Sequence, residues 1–429
     1  MTVLILFVTF VVLLLVGMPI AFAIGISSAI AAMSMDVMTN MTIVRRMIFG
    51  INSFPLLAVI FFVFTGVVMA NGGVAGRLVR LAEVIVGRLP GGLAQINVMS
   101  SMLFGGVSGS AVADVSSIGR MMIEAMEKDG YTKRFATALT LASATMGPII
   151  PPSISMILYA YIAGSVSVGG LLLAGLTPGL LIGGGLLLVA WIHGRLYHNT
   201  RTPKLTGREK LARVVDGGLG MMTLVIILGG ITSGVFTATE AGAIASVYAL
   251  FLTMVIYREV KVRQLPALMW ESIVTTAVVL FLIATTSIFT FILTYENVPQ
   301  WISQNILSLT DDKVLLLLII NILLLVTGLF IDLTPALIML VPILLPLAQA
   351  MGLDLIHLGV IMVVNLTFGL ITPPVGTALF VGCRIAKISM VELIPPLIPM
   401  LAIMLVALGI VTYFPETFMW APRLFGFVP

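Results

Sequence analysis

Two short runs carry the residues best suited to chemistry: "GPIIPPS" at 147–153 and "GLITPPVG" at 369–376. Proline removes a backbone donor and its ring collides with the preceding turn. A Pro pair preceded by Gly147 or Gly369 therefore strips helical partners from several carbonyls. Inside an apolar stretch those carbonyls need a cation, water or a polar side chain. Hard cations such as Na⁺ take oxygen ligands from carbonyls and hydroxyls. For one run alone, a Pro kink that bends a helix for packing is the plainer reading. Two breaks at matching places in two halves point instead to a transporter binding site.

Further candidates stand in "FGGVSGSAVADVSS" (104–117) and "TGLFIDLTPALIM" (327–339). Gly, Ser, Thr, Asp and Pro at a hairpin tip let the chain turn within a membrane where protein or water satisfies its polar groups, so both runs read as re-entrant hairpins. Ser110 and Asp332 occupy equivalent places at the two tips, with Ser108 and Thr334 beside them. A carboxylate inside a membrane marks function by default because its charge is costly to hold there. Capping of the next helix through Asp-Leu-Thr-Pro is a second role open to Asp332. For Asp114, N-capping and function stand equal. Glu240 in "TATEAG" reads as a buried polar contact or a cap. Ser143 and Asn365, one turn before the breaks, suit either support of an ion site or hydrogen bonding between helices. Ser153, Ser155 and Thr377 follow the breaks on the first turns of new half-helices, whose positive ends favour an anionic substrate. Hydroxyl packing between helices is their alternative use.

These residues sit in a chain of 429 with 60% hydrophobic and 9% charged residues. Such a composition cannot be hidden in a soluble core and defines an integral membrane protein. The apolar runs are long, rich in Leu, Ala, Met and Gly, and lack the alternation of a barrel, so they are helices. About ten to twelve spans are expected. The opening run "VLILFVTFVVLLLVGMPIAFAIGISSAIAAM" is longer than a removable signal and has no cleavage pattern, so it reads as a retained membrane segment. Cys383, the single cysteine, excludes an internal disulfide, and His193, His198 and His357 are too scattered for a metal cluster. No "GxxxxGK[ST]" loop or "HExxH" pair is present, so neither a nucleotide engine nor a zinc protease is supported. The net charge of +4 reflects membrane orientation and lipid headgroups, not nucleic acid.

A basic stretch near the middle, Arg195 to Gly217, suggests a cytoplasmic loop between two related halves. Sliding the chain by 222 residues sets "TMGPIIPP" (145–152) on "TFGLITPP" (367–374), with five of eight residues identical. Gly106 then falls on Gly328 and Gly130 on Gly352. The layout expected is a first repeat over 1–200, a basic cytoplasmic loop over 201–216 and a second repeat over 217–429. The first repeat would hold a hairpin at about 93–127 and a broken helix at about 134–163; the second, a hairpin at about 314–350 and a broken helix at about 355–385. Arg45 and Arg46 follow the opening helices of one half, and Arg258, Lys261 and Arg263 those of the other. Inverted halves would place these on opposite sides, so one set breaks the positive-inside pattern, as on an amphipathic interfacial helix.

"FGGVSGSAVADVSSIG", "MGPIIPPSISMILYA", "GLFIDLTPALIMLVPILLPLA" and "NLTFGLITPPVGTALFVG" together resemble the large membrane subunit of tripartite ATP-independent periplasmic (TRAP) transporters, over about residues 5–415. The resemblance implies an all-α protein of two inverted repeats and an elevator-type secondary transporter of the ion-transporter superfamily, with a scaffold and a mobile transport domain. It implies Na⁺-driven import of carboxylate-bearing solutes, such as C4-dicarboxylates, sialic acids and other sugar acids, across the bacterial inner membrane. A soluble periplasmic binding protein would deliver the solute, and a small four-helix membrane subunit would complete the complex. Because the chain opens at the large subunit's first helices, that small subunit is expected as a separate chain. Carried over residue by residue, the first Na⁺ site would lie between Ser108, Gly109 and Ser110 and the break at Gly147, Ile150 and Pro151. The second would lie between Gly328, Asp332 and Thr334 and the break at Gly369, Thr372 and Gly376. Substrate would sit near Ser110, Ser153, Ser155 and Asp332. An uncoupled channel, whose pore the paired breaks would line, and a non-transporting scaffold, which leaves the breaks and Asp332 idle, are the competing readings; the repeat disfavours both. No enzymatic activity is expected.

Overall fold

The computed structural model describes residues 1–35, 38–197, 205–310 and 312–427. Every regular element among them is helical. The apolar opening run does not form one segment. It breaks into α1 (Thr2–Leu15) and α2 (Ile20–Met33), which pack on each other. Gly17, at φ +85°, supplies the left-handed turn, and Pro19 caps α2 where its missing N–H costs nothing. Next come α3 (Asn40–Ile51) and α4 (Leu56–Asn71), bent by 58° where Pro55 follows a short break. Then α5 (Val74–Val86) leads into the first hairpin.

That hairpin consists of α6 (Gly92–Ser108), the short α7 (Ala111–Asp114), a π turn at Val115–Gly119 and α8 (Arg120–Lys128). The broken helix follows as α9 (Lys133–Ala144) and α10 (Ile154–Ala163), and the half closes with α11 (Val168–Leu196). The second half runs through α12 (Gly207–Thr232), α13 (Ala238–Phe251), α14 (Leu265–Tyr295) and α15 (Val298–Leu309). Its hairpin is α16 (Lys313–Phe330) and α17 (Leu333–Ala350), and its broken helix is α18 (Leu355–Gly369) and α19 (Thr377–Ala386). It ends in α20 (Met390–Tyr413) and α21 (Glu416–Leu424).

The shift of 222 residues holds in three dimensions: α7, α9 and α11 start at Ala111, Lys133 and Val168, and α17, α18 and α20 start at Leu333, Leu355 and Met390. Packing across the halves is reciprocal. Helix α4 packs on α13 as α14 packs on α2, and α9 packs on α20 as α11 packs on α18. Exchanging the halves exchanges the partners of each pair, as two-fold-related units require. The fold is an all-α membrane protein of two inverted repeats, each with a re-entrant hairpin and a discontinuous helix.

Seven helices among the described residues are long and apolar enough to cross a membrane, or eight if the bent pair α3–α4 counts as one span. The ten to twelve spans expected from composition therefore cannot each be one unbroken helix. Several apolar runs fold instead as α1, α2, α10, α18 and α19, each of 10–17 residues. At about 1.5 Å per residue these are shorter than a hydrocarbon core of about 30 Å.

The basic loop expected over 201–216 is also shorter in fact. Residues 201–204 lie outside the described residues, and α12 begins at Gly207 on a capping box between Thr206 and Glu209. Its charges meet partners on α5: Arg213 pairs with Glu83, and Asp216 accepts from Arg77 at 3.2 Å and Arg80 at 3.1 Å. Arg77 also lies over the Tyr257 ring, 3.8 Å from its centre. A run that reads as an orienting loop is thus partly a helix–helix clasp.

Close backbone approach sets where α11 meets the start of α6. A Cβ added at Gly194 would land on the backbone of Gly91, whereas one at Gly184 would meet nothing within 4 Å. Gly194→Val should destabilise the protein by about 1–3 kcal/mol, the range for overpacking. Its thermal unfolding midpoint in detergent should fall clearly below that of Gly184→Val; equal midpoints would refute this packing account.

Candidate functional site

Each break leaves a row of free carbonyls. Helix α9 ends through turns in which Met146 donates to Ser143 and Gly147 to Ala144, at 3.1 and 3.0 Å. Beyond them, the carbonyls of Gly147, Ile149, Ile150, Pro151 and Pro152 accept no hydrogen bond among the described residues. Ser153 restarts the chain: its hydroxyl accepts from Met156 N–H at 3.2 Å as the N-cap of α10 and donates back to the Pro148 carbonyl. In the second half, the carbonyls of Ile371, Thr372, Pro373, Pro374 and Val375 are equally free. The Thr372 hydroxyl donates to Phe368 at 2.6 Å. The Pro151–Pro152 and Pro373–Pro374 bonds are both cis.

Each hairpin tip lies on the break of its own half, backbone against backbone. A Cβ on Gly147 would stand 3.0 Å from the Ser110 carbonyl carbon and 3.2 Å from its oxygen. One on Gly105 would stand 3.1 Å from Gly147 Cα, and one on Gly106 3.3 Å from the Pro151 oxygen. Gly109, at φ +63°, turns the tip directly over Pro152, whose oxygen a Cβ there would meet at 2.6 Å. In the second half, a Cβ on Gly369 would collide with the Gly328 carbonyl oxygen. Around Gly376, the oxygens of Thr372 and Leu370 lie 3.2 and 3.3 Å from where a Cβ would be.

At the first tip, Ser110 caps α7 by accepting from Ala113 N–H at 3.4 Å, and the buried Ser108 hydroxyl accepts from Ser110 N–H at 3.4 Å. The Ser108 carbonyl faces α4, 3.0 Å from where a Cβ on Gly66 would stand. At the second tip, Asp332 stands at the N-cap position of α17, yet its side chain makes no capping bond. Its Oδ1 instead accepts from the Thr377 hydroxyl at 2.8 Å. Thr377 is the first residue of α19, so this bond ties the hairpin to the half-helix beyond the break. Thr334, the second residue of α17, is half-buried.

The halves also meet here. Helix α7 packs on α19, and α10 packs on α17, so each hairpin touches the other half's post-break helix. The structure therefore joins Asp332 to Thr377 directly. It connects Ser110 to that pair through the packing of α7 on α19, and Ser153 and Ser155, both buried, through α10 on α17.

Other candidates resolve differently. Ser143 donates to Ser101 at 3.1 Å, and Asn365 donates to the Asn321 side chain at 2.8 Å. Both are interhelical bonds at equivalent places, α9 to α6 and α18 to α16. Glu240 is a cap: its carboxylate accepts from Thr237 N–H at 2.8 Å in a capping box of α13. Asp114 does not cap a helix. It ends α7, runs into the π turn and is fully buried, with neither carboxylate oxygen hydrogen-bonded among the described residues. Gly66 and Gly105 went unremarked in the sequence; the double glycine of "FGG" was the available sign of close approach.

Chemically, the two contacts offer clustered neutral oxygens. No group of three His, Cys, Asp or Glu side chains able to hold a metal occurs among the described residues. Carbonyl and hydroxyl oxygens without thiolate or imidazole suit a hard cation of low charge. The fold and this oxygen-rich pair of contacts define a multi-pass membrane permease of the transporter kind.

Residues 7–417 match the family described as "Tripartite ATP-independent periplasmic transporter, DctM component". The chain is 43% identical to the Salmonella typhimurium protein YgiK, over 99% of this chain and 98% of that one. It is 38% identical to the sialic acid TRAP transporter large permease protein SiaM of Vibrio cholerae, over 96% of each. It is 39% identical to the C4-dicarboxylate TRAP transporter large permease protein DctM of Pseudomonas aeruginosa, over 87% of each. Among solved structures, the Alcanivorax borkumensis YdaH transporter shares the fold at a TM-score of 0.62 and 14% identity, covering 88% of both chains. The chain belongs to the TRAP transporter family as a DctM component, and its relatives SiaM and DctM are permeases, not enzymes.

Two substitutions test the contacts. Gly369→Ala should lower stability by about 1–3 kcal/mol through its collision with Gly328, while Gly229→Ala, with open space around it, should not. Thr377→Val should cost about 1–3 kcal/mol by removing the hydroxyl that serves the Asp332 carboxylate. Thermal unfolding of each variant in detergent is the measurement, and unchanged midpoints would refute both contacts.

Proposed function

We propose that this chain carries a carboxylate-bearing solute across the bacterial inner membrane, driven by Na⁺, as the large permease of a three-part system. The observation that bears most weight is the twofold occurrence of a hairpin tip pressed on a row of free carbonyls. Such broken helices at matching positions are where coupling ions and substrates bind in secondary transporters.

In this reading, Na⁺ is a co-transported substrate. Ser108, Gly109 and Ser110 with Gly147, Ile150 and Pro151 would surround one ion, and Gly328, Asp332 and Thr334 with Gly369, Thr372 and Gly376 the other. The free carbonyls of Ile150, Pro151 and Thr372 support these sets. The solute's carboxylate would lie near Ser110, Ser153, Ser155 and Asp332. It would face the N-termini of α10 and α19, whose unpaired N–H groups favour negative charge. Asp332 would give up part of its bond with Thr377 to ion or solute.

Ion binding orders the tips, solute closes them, and the hairpins with their broken helices move as one body against the remaining helices in an elevator motion. Each Na⁺ charge moved through about 100 mV supplies about 2.3 kcal/mol. No nucleotide-binding loop of the "GxxxxGK[ST]" type interrupts the sequence, in keeping with an ATP-independent family. The relatives that handle sialic acid and C4-dicarboxylate support an organic acid as the solute. A periplasmic binding protein would deliver it and a small four-helix subunit would complete the membrane part.

Asp332→Ala and Ser110→Ala should each abolish Na⁺-dependent uptake of the acid into proteoliposomes holding both membrane subunits, with the binding protein supplied outside. Uptake at the native rate by both variants, or native uptake with K⁺ in place of Na⁺, would sink the assignment.

A further inference from the structure

A cavity of about 420 Å³ opens away from the hairpin tips. Helices α3 and α14 form one wall and α10 and α17 the other. On α17 its lining begins at Ile338 and Pro342, about 9 and about 15 Å beyond Asp332 at ~1.5 Å per helical residue. On α10 it reaches Tyr161, about 12 Å beyond Ser153 on the same measure. It is therefore distinct from the contacts described above, yet it lies along the same two helices.

The cavity's chemistry is one-sided. Among the described residues Arg46 is its only charged lining residue, and none of its lining residues there carries a carboxylate. Among the described residues Arg46 takes part in no ion pair. Its guanidinium lies over the Phe291 ring, 4.1 Å from the centre. Stacking uses the face of the guanidinium and leaves its in-plane N–H donors open. Thr286, Thr290 and Thr294 line the cavity at i, i+4 and i+8, so they form one stripe along α14. Thr286 is only 2% exposed and its hydroxyl has no hydrogen-bond partner among the described residues. A buried hydroxyl left unmatched is costly unless something supplies its bond. Two further bonds hold α3 over the opening: Ser287 donates to the Arg46 carbonyl at 3.2 Å, and Tyr161 donates to the Gly50 carbonyl at 2.8 Å.

We propose that this cavity is a second anion site, in which Arg46 and the threonine stripe of α14 take an oxyanion, either the carboxylate of an organic acid or the phosphate of a lipid headgroup. The volume suits a small acid, since ligand sites run from about 300 Å³ upward. A forked, always charged guanidinium suits planar oxyanions. If the acid is the ligand, the inference deepens the transport reading: the solute pauses here between the opening and the tips, with one wall on each of the bodies that move apart.

The test uses thiol labelling, which needs no ion gradient. In a Cys383→Ala background, free of native cysteine, Thr294→Cys places one thiol on the cavity wall. The complex of both membrane subunits is treated with a maleimide in phosphatidylcholine vesicles, with or without succinate or N-acetylneuraminate, and in vesicles that also contain phosphatidylglycerol. Labelling should slow about tenfold when the oxyanion binds. Slowing by an acid assigns the site to the solute, and slowing only by phosphatidylglycerol assigns it to the lipid. In either case Arg46→Gln should remove the protection and Arg46→Lys should retain part of it. The protection should persist in Asp332→Ala, so that failure of transport and failure of this site are read separately. Labelling that neither acid nor lipid slows, or equal protection in Arg46→Gln, would overturn the proposal.

Discussion

The contact of one backbone with another, without side chains between, is the constraint on which this structure depends. Gly369 lies under the Gly328 carbonyl at a separation that only hydrogen on Cα permits, and Gly147 lies under that of Ser110, where a Cβ would be tightly crowded. Because the broken segments cannot satisfy their own carbonyls, something must stand against them that is neither lipid nor a bulky side chain. The hairpin tips do this twice. The result is two small regions, rich in oxygen and poor in charge, held within an apolar body whose cost of burying polar groups would otherwise forbid them.

Within the second half, hairpin and broken helix are bound together at the same place. Asp332 is a carboxylate at a helix N-cap that forgoes its own helix for Thr377, so the tip is tied to the next half-helix by a bond open to competition. Away from the tips, polar pairs such as Ser101 with Ser143 and Asn321 with Asn365 fix each hairpin to its broken helix, with Ser143 and Asn365 at matching positions of the repeat. Charge is kept elsewhere, where Arg77, Arg80 and Arg213 of α5 and α12 clasp Asp216 and Glu83.

Much of the fold was legible because the repeat is written in residues whose roles are local. Proline pairs and glycines act on the backbone whatever surrounds them, so the 222-residue shift seen in "TMGPIIPP" and "TFGLITPP" reappears as matched starts of α9 and α18. Span counting was less reliable, because apolar composition records burial in lipid and burial in protein alike. Helices α9 and α18 are almost wholly enclosed by other helices. The basic run after residue 201 misled for a related reason: its sign suggests a loop facing the cytoplasm, while Thr206 and Glu209 start a helix whose charges find partners on α5.

By itself, the sequence determined a membrane protein of two halves, the places where helices must break, and the pair Ser110 and Asp332 at the tips, since each follows from backbone chemistry or from a carboxylate's cost in lipid. Only the tertiary structure decided which partner each group took. It turned Asp332 from cap to cross-link, gave Ser143 and Asn365 to interhelical bonds, and buried Asp114 just before a π turn. It also brought Arg46 of α3 to the threonine stripe of α14, some 240 residues further along the chain, across a cavity walled by both halves. Spacing along a chain reports periodicity and breaks; the meeting of residues so far apart is set by packing between elements, which no local pattern records.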